Sequence, residues 1–373
     1  MNFDYNEEQQ LLADSVRRFI RKDYDFESRK KIVASAEGWS ENVWGTFAEM
    51  GLLGLPLSPD YGGFGGGAVD LMSVMESFGE ALVVEPYLAT VGLGAQFVAR
   101  AGTAVQKKRI LPQIVEGKLK MAFAQTEKDA RYNLAQVAAT ARKTGSGWQI
   151  DGEKRAVIGA PIAEMLVVSA RSVDTGGISL FLVEREAKGV SLEPYRTVDE
   201  LRAADISLKG VTVGADALLG KEGGALALIE EVVDYATALL CAEAVGAIKY
   251  ANDATLEYLK TRKQFGVPIG MFQALQHRMV DMVISYEQAK SMACLACTKA
   301  DAASDARERA RSISAAKIKI ADACRHVSQE AVQLHGAMGM TEELKVSHSF
   351  RRLTMIAQQF GDADHHLERF AKA

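Results

Sequence analysis

Hydrophobic residues recur at helical spacing through roughly the first 118 positions. In NEEQQLLADSVRRFIRKD, which follows the predicted N-cap Asn6, they share one face: Leu11, Leu12, Val16, Phe19 and Ile20. SENVWGTFAEMGLLG and AVDLMSVMESFGEAL repeat the pattern, and SPDYGGFGGGAVD between them holds five glycines in residues 62–67. A phosphate-binding glycine loop needs a preceding strand, so we predict a turn or substrate-edge loop between helices.

The period changes between about residue 119 and residue 215. The segments there are short, rich in β-branched residues and bounded by Gly, Asp and Ser, as in EMLVVSAR and GISLFLVERE. Gly145-Ser146-Gly147 is typical of a hairpin turn, and Asp151-Gly152 is predicted to form a second turn. We expect a compact β domain, a small barrel or sandwich.

From about residue 222 the chain is predicted to be helical again. One proline-free run covers some forty residues, and three further helices are predicted over 272–300, 304–338 and 342–357. Long antiparallel helices form a bundle. The predicted fold is therefore α+β, with three domains: an N-terminal helical domain (1–118), a middle β-barrel or sandwich (119–221) and a C-terminal four-helix bundle (222–373).

Charge and composition narrow the function. The 373 residues carry a formal net charge of −4, whereas a protein that mainly binds nucleic-acid phosphates has a basic excess. MNFDYNEEQQ lacks an apolar signal core and no apolar stretch spans a bilayer, so we expect a cytoplasmic protein without a membrane role. Four cysteines are too few for a disulfide framework, and we interpret Cys294 and Cys297 as core residues one helical turn apart.

Two motifs in the helical C-terminal region are candidates for ligand binding. In TRKQFGVPIGMFQALQHRMVDM, Arg262 either offsets the dipole of the helix it ends, or binds a diphosphate while Phe265 packs against a flat ring. Val267-Pro268-Ile269-Gly270 is predicted to be a rigid connection. In EAVQLHGAMGMTEEL, Gly336 either caps a helix or allows a ligand to approach, and the Gln333 amide suits a polar ring or ribose edge.

These two motifs, together with the helical–β–helical plan, closely resemble the flavin-dependent acyl-CoA dehydrogenases. The resemblance covers essentially the whole chain, including YGGFGGG and WQIDGEK, and the pairing of RKQFG…FQ with QLHGAMGMT is fairly specific. Within the family the chain looks most like the bacterial small subunits of pimeloyl-CoA dehydrogenase, which are partner-type chains of two-subunit enzymes.

The resemblance implies a tetramer with FAD bound between subunits, and electron-transfer flavoprotein as the electron acceptor. Five residues would reach the diphosphate and adenosine part of FAD: Arg262, Gln264, Phe265, Gln333 and Gly336. In the family a carboxylate removes the α-proton of an acyl-CoA while hydride passes from the β-carbon to the flavin.

The flavin motif of the β domain departs from the family pattern. QTEKDARYNL keeps Thr126 and Glu127, but Tyr132 stands where the family has a flavin-contacting serine. Ala156-Val157-Ile158 stands where the family has Trp-Ile-Thr. The residues still expected to contact the flavin are Phe123, Gln125 and Thr126.

The catalytic base is missing from both positions at which the family carries it. Phe360 and Ala236 stand at these positions. Glu243 lies two helical turns beyond Ala236, in the apolar run LLCAEAVGA. Because a glutamate is almost never buried without a partner, Glu243 is either the catalytic base or a member of a structural ion pair or hydrogen bond.

A cluster of potential metal ligands follows Phe360 in FGDADHH: Asp362, Asp364, His365 and His366. The resembled fold needs no metal here. We therefore predict that Asp362 or Asp364 caps the C-terminal helix, and we expect no metal.

Three hypotheses follow for function. The chain is the β-type subunit of an α₂β₂ acyl-CoA dehydrogenase whose homologous α-type partner supplies the base, a self-sufficient homotetramer with an unusual base, or a non-catalytic scaffold. Retention of Arg262 and Gln333 argues against the scaffold, and loss of the flavin and base motifs argues against self-sufficiency. The expected substrate is an acyl-CoA, with dicarboxylyl-CoA esters such as pimeloyl-CoA suggested by the resemblance.

Overall fold

The chain's computed structural model describes residues 6–373. Residues 1–5, which belong to the stretch where we found no signal core, lie outside this range. The helices are α1 (Glu7–Asp23), α2 (Phe26–Ala34), α3 (Glu41–Glu49), α4 (Ala68–Ala81), α5 (Ala95–Ala101), α6 (Ala104–Val115), α7 (Leu226–Thr261), α8 (Gln273–Ala302), α9 (Ala306–His335), α10 (Lys345–Gln358) and α11 (Ala363–Lys372). Short 3₁₀ or π turns occupy Pro59–Tyr61, Leu88–Gly94, Ala215–Ala217, Ile269–Met271 and Gly336–Met340. None of the described helices combines the length and apolarity needed to cross a membrane.

The strands are β1 (Met121–Ala124), β2 (Thr140–Thr144), β3 (Gly147–Ile158), β4 (Met165–Ser172), β5 (Ile178–Glu184), β6 (Val190–Arg196), β7 (Arg202–Gly214), β8 (Leu218–Leu219), β9 (Lys263–Gln264) and β10 (Val267–Pro268). Strands β1 to β8 form one sheet, and β9 pairs with β10. The predicted order of a helical, a β and a second helical region is thus confirmed.

Local signals in the sequence explain several element boundaries. Asn6 caps α1 through a reciprocal pair of hydrogen bonds with Gln9, as predicted. Gly145 and Ser146 form the two-residue loop between β2 and β3, because Thr144 pairs with Gly147. The predicted turn at Asp151-Gly152 is wrong.

Gly152 instead lies inside β3 at a β-bulge. The register between β3 and β7 shifts between Ile150 and Gly152, and Gly152 has a φ of 150°. A Cβ atom there would lie 2.5 Å from the Cβ of Ala139, so only glycine allows this close approach. An isolated glycine within a strand marks a bulge as readily as a turn, and the sequence does not distinguish the two.

One long loop leaves the sheet where strand β4 changes from one parallel partner strand to another. Strand β4 pairs in parallel with β1 along Met165–Val168 and with β2 along Arg171–Ser172. Strands β1 and β2 therefore occupy successive parts of the same side of β4. The chain between them, residues 125–139, leaves the sheet at this split and carries the altered flavin motif.

The chain divides into two compact units. The first, here called the helical unit, comprises the described residues up to Lys31 together with Gly67–Val83 and Thr237–Ala373. The second, the mixed unit, comprises Ile32–Gly66 and Val84–Ala236 and contains strands β1 to β8.

Helices α4 and α7 cross in the helical unit at backbone contact distance. A Cβ atom on Gly79 of α4 would lie 1.8 Å from the carbonyl oxygen of Glu243 on α7. A Cβ atom on Gly246 of α7 would lie 1.7 Å from the carbonyl oxygen of Glu76 on α4. Each glycine therefore allows the backbone of the other helix to approach, and this crossing fixes the position of Glu243 in the core.

Candidate functional site

The Arg262 motif folds into a β-hairpin directly after α7. Strands β9 and β10 pair antiparallel, so Phe265 and Gly266 form the two-residue turn, with φ angles of 55° and 83°. Positive φ at both positions is what a type I′ turn requires. The ring of Phe265 is 91 % exposed. The sequence indicated the break after α7 but not the hairpin. Val267-Pro268, which we predicted to be part of a rigid connection, is the second strand of this hairpin.

Two cations stand at the base of this hairpin. The N–H of Arg262 donates to the carbonyl of Tyr258 (2.8 Å), and its carbonyl accepts from the N–H of Ile269 (2.8 Å). The side chains of Arg262 and Lys263 are exposed, and neither forms an ion pair with any residue between 6 and 373. Their positive charge is therefore available to an anion.

The second predicted segment lies at the end of α9. Gly336 has a φ of 61°, and its N–H donates to the carbonyl of Gln333. A Cβ atom on Gly336 would meet nothing within 4 Å, so the space beside this residue is open. The Gln333 side chain is exposed.

The structure brings these two segments together. The ring of Tyr258, in the last turn of α7, stacks on the ring of His335, the last residue of α9, with 4.4 Å between centroids. The hairpin that carries Gln264 therefore begins close to the segment that carries Gln333.

The three remaining cofactor candidates lie in the mixed unit. Phe123 packs its ring against Phe97, with centroids 4.5 Å apart. Gln125 is buried and its amide donates to the carbonyl of Leu134 (2.9 Å). Thr126 is exposed, and its carbonyl accepts from the N–H of Arg155. Thr126 therefore offers a free surface, whereas the Gln125 amide nitrogen already has a protein partner.

Glu127 closes the loop that carries these residues. Its carboxylate accepts from the backbone N–H groups of Ala138 (2.6 Å) and Ala139 (3.1 Å) and from the ammonium of buried Lys154 (2.7 Å). Burial alone would raise the pKa of Glu127, but these donors more than offset it and hold the pKa below its usual value. Burial lowers the pKa of Lys154 to about 8, against the opposing effect of Glu127.

The two positions that depart most from the family's flavin motif are Tyr132 and Ala156, and they differ in exposure. Tyr132 is half-buried. Ala156 is exposed with a φ of 51°, and its N–H donates to the carboxylate of Asp205 (2.9 Å).

The candidate base Glu243 is paired with an arginine. Arg352 on α10 donates from Nε to Oε1 of Glu243 (2.6 Å) and from Nη2 to Oε2 (2.8 Å). Each side chain is only 7 % exposed. A buried, bidentate pair holds both carboxylate oxygens at the guanidinium. The structural ion pair was one of the two alternatives for Glu243, and its catalytic role remains a prediction.

The two standard base positions have different environments. Ala236 is buried within α7. Phe360 is half-buried in the turn between α10 and α11, where its φ is 62°. The carbonyl of Phe360 accepts from Nε2 of His366 (3.2 Å), and the carbonyl of Gly361 accepts from the ammonium of Lys317 (2.7 Å).

The FGDADHH cluster is built into this turn. Asp362 caps α11 by accepting from the N–H of His365, which confirms the predicted cap. Both ring nitrogens of His366 are engaged, since Nδ1 lies 3.2 Å from the hydroxyl of Ser314. Burial lowers the pKa of His366 to about 2, with the nearby Lys317 adding to the effect.

Sequence reasoning missed Lys317, Arg352 and the Tyr258–His335 stack. Lys317 was detectable, because Ile313 and Ile320 place it on the buried face of α9. Arg352 shares a face of α10 with buried Ile356. The stack joins residues far apart in the chain and has no local signal.

Comparison with known proteins finds family matches over most of the chain. Residues 6–118, 122–211 and 223–373 match the family models for the N-terminal, middle and C-terminal domains of acyl-CoA dehydrogenases. The chain is 34 % identical to acyl-CoA dehydrogenase FadE12 of Mycobacterium tuberculosis, over 93 % of this chain and 90 % of that one. The chain belongs to the acyl-CoA dehydrogenase family. Its members are oxidoreductases that act on CH–CH groups.

Two solved structures of acyl-CoA dehydrogenase relatives are also similar. PigA with FAD and proline is 27 % identical, with a TM-score of 0.92 over 100 % of this chain and 98 % of that one. The Tcur3481-Tcur3483 steroid enzyme, a G363A variant, is 28 % identical, with a TM-score of 0.89 over 98 % of this chain and 97 % of that one.

Proposed function

We propose that the chain is the β-type subunit of an α₂β₂ acyl-CoA dehydrogenase, which introduces a double bond between the α and β carbons of an acyl-CoA thioester. The observation that carries this proposal is that the residues expected to bind the cofactor are present, whereas the family's catalytic base is missing. The chain keeps the exposed, cationic hairpin at Arg262, while Phe360 and Ala236 stand where the family has its base. Glu243, the carboxylate that we consider as an alternative base, is already paired with Arg352.

The cofactor is FAD, and the helical unit fits its diphosphate and adenosine end. Arg262 and Lys263 have no acidic partner among the described residues, and a guanidinium binds phosphate oxygens in pairs. The open space beside Gly336 lets a ligand approach the backbone, and the exposed Gln333 amide offers a donor and an acceptor. When bound, FAD accepts the hydride that leaves the β-carbon.

The flavin contacts proposed for the mixed unit are Phe123, Gln125 and Thr126. The exposed hydroxyl of Thr126 is a donor and acceptor for a polar ring edge. The loop that carries it is closed by Glu127 and Lys154, so its backbone is held in place before a ligand arrives.

The α-proton is removed, in this proposal, by a carboxylate of the partner subunit. The thioester acidifies that proton, and a site of low polarity raises the pKa of the base toward the working pH. The runner-up is a homotetramer in which Glu243 is the base, favoured by its burial on α7 seven residues beyond Ala236. It requires Arg352 to release the carboxylate during turnover.

An exposed apolar surface supports assembly into a tetramer. Val280, Val283 and Ile284 recur at helical spacing on α8 and remain exposed, close in sequence to exposed Met271 and Phe272. The proposed partner is a homologous α-type chain, and the name of the similar Tcur3481-Tcur3483 steroid enzyme joins two designations. Electron-transfer flavoprotein is the proposed acceptor and a dicarboxylyl-CoA the proposed substrate.

Expression of the chain alone and together with a homologous acyl-CoA dehydrogenase chain of the same organism tests the proposal. Flavin absorbance and acyl-CoA turnover are measured for both preparations. We expect bound flavin and turnover only in the co-expressed assembly. A yellow, active protein from this chain alone would support the homotetramer, and colourless assemblies without turnover would support a scaffold.

A substitution in the hairpin tests the cofactor assignment. We expect Arg262→Ala to lower FAD occupancy of the assembled enzyme, because it removes the paired donors. Arg325→Ala is the matched control, since Arg325 is an exposed arginine on α9 that pairs with Asp322. Equal occupancy in the two variants would remove Arg262 from the cofactor site.

A further inference from the structure

Two aromatic rings meet where helices α7 and α9 both end. Tyr258 lies one turn before the end of α7, and His335 is the last residue of α9. Their rings stack with 4.4 Å between centroids and 29° between planes. Stacking of two aromatic rings contributes beyond the area that it buries.

The imidazole of His335 is fixed in one orientation. Its Nδ1 lies 2.8 Å from the carbonyl oxygen of Ala331, which can only accept, so Nδ1 carries the proton. Burial lowers the pKa of His335, and the bond to Ala331 opposes this only in part. The ring is therefore a neutral aromatic surface at neutral pH and does not repel the cations of the hairpin.

Each ring lies within four residues of one of the two segments that are proposed to contact FAD. The carbonyl of Tyr258 accepts from the N–H of Arg262, at the base of the hairpin. Gly336 follows His335 in sequence, and a Cβ atom on Gly339 would lie 3.0 Å from the Cβ of His335. A shift of either ring would thus move the backbone of the segment next to it.

We propose that Tyr258 and His335 are a positioning pair that holds the hairpin, residues 262–268, and the segment 333–340 in one arrangement, so that both bind the diphosphate end of FAD as a single site. This inference rests on the proposed function, because it assumes that both segments contact FAD. Two binding segments that are fixed before the ligand arrives lose less conformational entropy on binding than two independent ones.

Variants of the two rings in the assembled enzyme test the pair. FAD dissociation constants are measured for His335→Ala, His335→Phe and Tyr258→Ala, below the melting temperature of every variant. His348→Ala is the matched control, because it removes another buried histidine ring of the helical unit, packed edge-on against Phe26 at 4.9 Å.

The expected pattern separates positioning from general packing. We expect His335→Ala and Tyr258→Ala each to weaken FAD binding about tenfold, and the double variant to weaken it little further. His335→Phe, which restores a ring, should bind FAD within about threefold of the unchanged enzyme. Wild-type affinity in His335→Ala, no rescue by His335→Phe, or equal weakening by His348→Ala would each overturn the inference.

Hydrogen exchange without FAD gives a readout that does not depend on the cofactor. In His335→Ala, amide exchange should rise together in residues 262–270 and 333–340, since the stack is their common support. Faster exchange confined to one segment would contradict the pair. If both segments respond but Arg262→Ala leaves FAD binding unchanged, the positioning pair stands and the proposed cofactor contact fails.

Discussion

Two Phe-Gly turns in the helical unit adopt similar backbones in opposite surroundings. Phe265 and Phe360 have φ angles of 55° and 62°, and each is followed by a glycine with positive φ. At the second turn, the ring is half-buried and the two carbonyls accept from His366 and Lys317. At the first turn, the ring is 91 % exposed and Phe272 is its aromatic neighbour, 6.2 Å away.

This difference shows what offsets the conformational free energy that a phenylalanine with positive φ costs. Such a residue costs roughly 1–2 kcal/mol relative to its preferred conformations. At Phe360 the buried hydrogen bonds of the same chain offset that cost. At Phe265 the exposed ring gains little within the chain, so we expect the compensation to come from binding to a cofactor or a neighbouring subunit.

We expect the largest change in stability at the Glu243–Arg352 ion pair, which attaches α10, the helix before the Phe360 turn. Glu243→Gln removes the charge of the carboxylate that pairs with the buried Arg352 guanidinium and should lower the free energy of unfolding by about 3–5 kcal/mol. Urea denaturation measures this loss. Glu257→Gln, an exposed glutamate on the same helix, should be neutral, and the double variant Glu243→Leu/Arg352→Met should recover most of the stability.

Removal of the ammonium beneath the Phe360 turn should have a smaller effect. Lys317→Met leaves the carbonyls of Gly361 and Ala357 without their donor, although it also removes a buried charge. We expect a loss of about 2 kcal/mol in urea denaturation. Lys319→Met on the same helix is the control, and a Lys317 variant as stable as this control would show that the turn does not depend on Lys317.

Acid should weaken the Phe360 turn through His366. Its pKa is about 2 in the folded protein, far below the ordinary histidine value of 6.5, so the unfolded chain takes up the proton first. The stability present above pH 6.5 is therefore lost as the pH falls toward about 2, by about 1.4 kcal/mol per pH unit. Denaturation at several pH values should show a shallower dependence for His366→Asn than for the unchanged protein, and equal slopes would exclude His366 as the cause.

The smallest effect is expected at the exposed turn. Asn-Gly is favoured in type I′ turns, so Phe265→Asn should stabilise the chain by about 0.5 kcal/mol in thermal denaturation. The same change should lower the FAD occupancy of the assembled enzyme. Phe360→Asn is the matching change in the second turn. It should destabilise the chain, because it removes a half-buried ring. A gain in stability would show that the two turns do not differ in this respect.

The helices and the three-part plan could be predicted because their signals are local. Asn6 and Gln9 lie within one helical turn, and Gly145-Ser146 marks a hairpin between two β-rich runs. Strands β9 and β10 have two residues each, too few to show any alternation of polar and apolar positions.

The sequence predicted individual residues of the candidate site but not the contacts between them. A charge in the apolar run LLCAEAVGA marked Glu243 as a residue needing a partner, and the structure supplies Arg352 from 109 positions away. Nothing in the local pattern relates these two residues, because tertiary packing brings them together. The same is true of Tyr258 and His335, whose contact depends on where two long helices end.

The crossing of α4 and α7 also bears on how the protein opens. At Gly79 and Gly246 the main chain of one helix lies directly against the main chain of the other. Separation of the two helices at this point would expose main chain of both to solvent. We therefore expect slow exchange for the amides of α7 around Glu243, and faster exchange in the exposed hairpin beyond the C-terminal end of this helix. A single helix thus joins the buried crossing to an exposed hairpin, whose base is held by the stack of Tyr258 on His335.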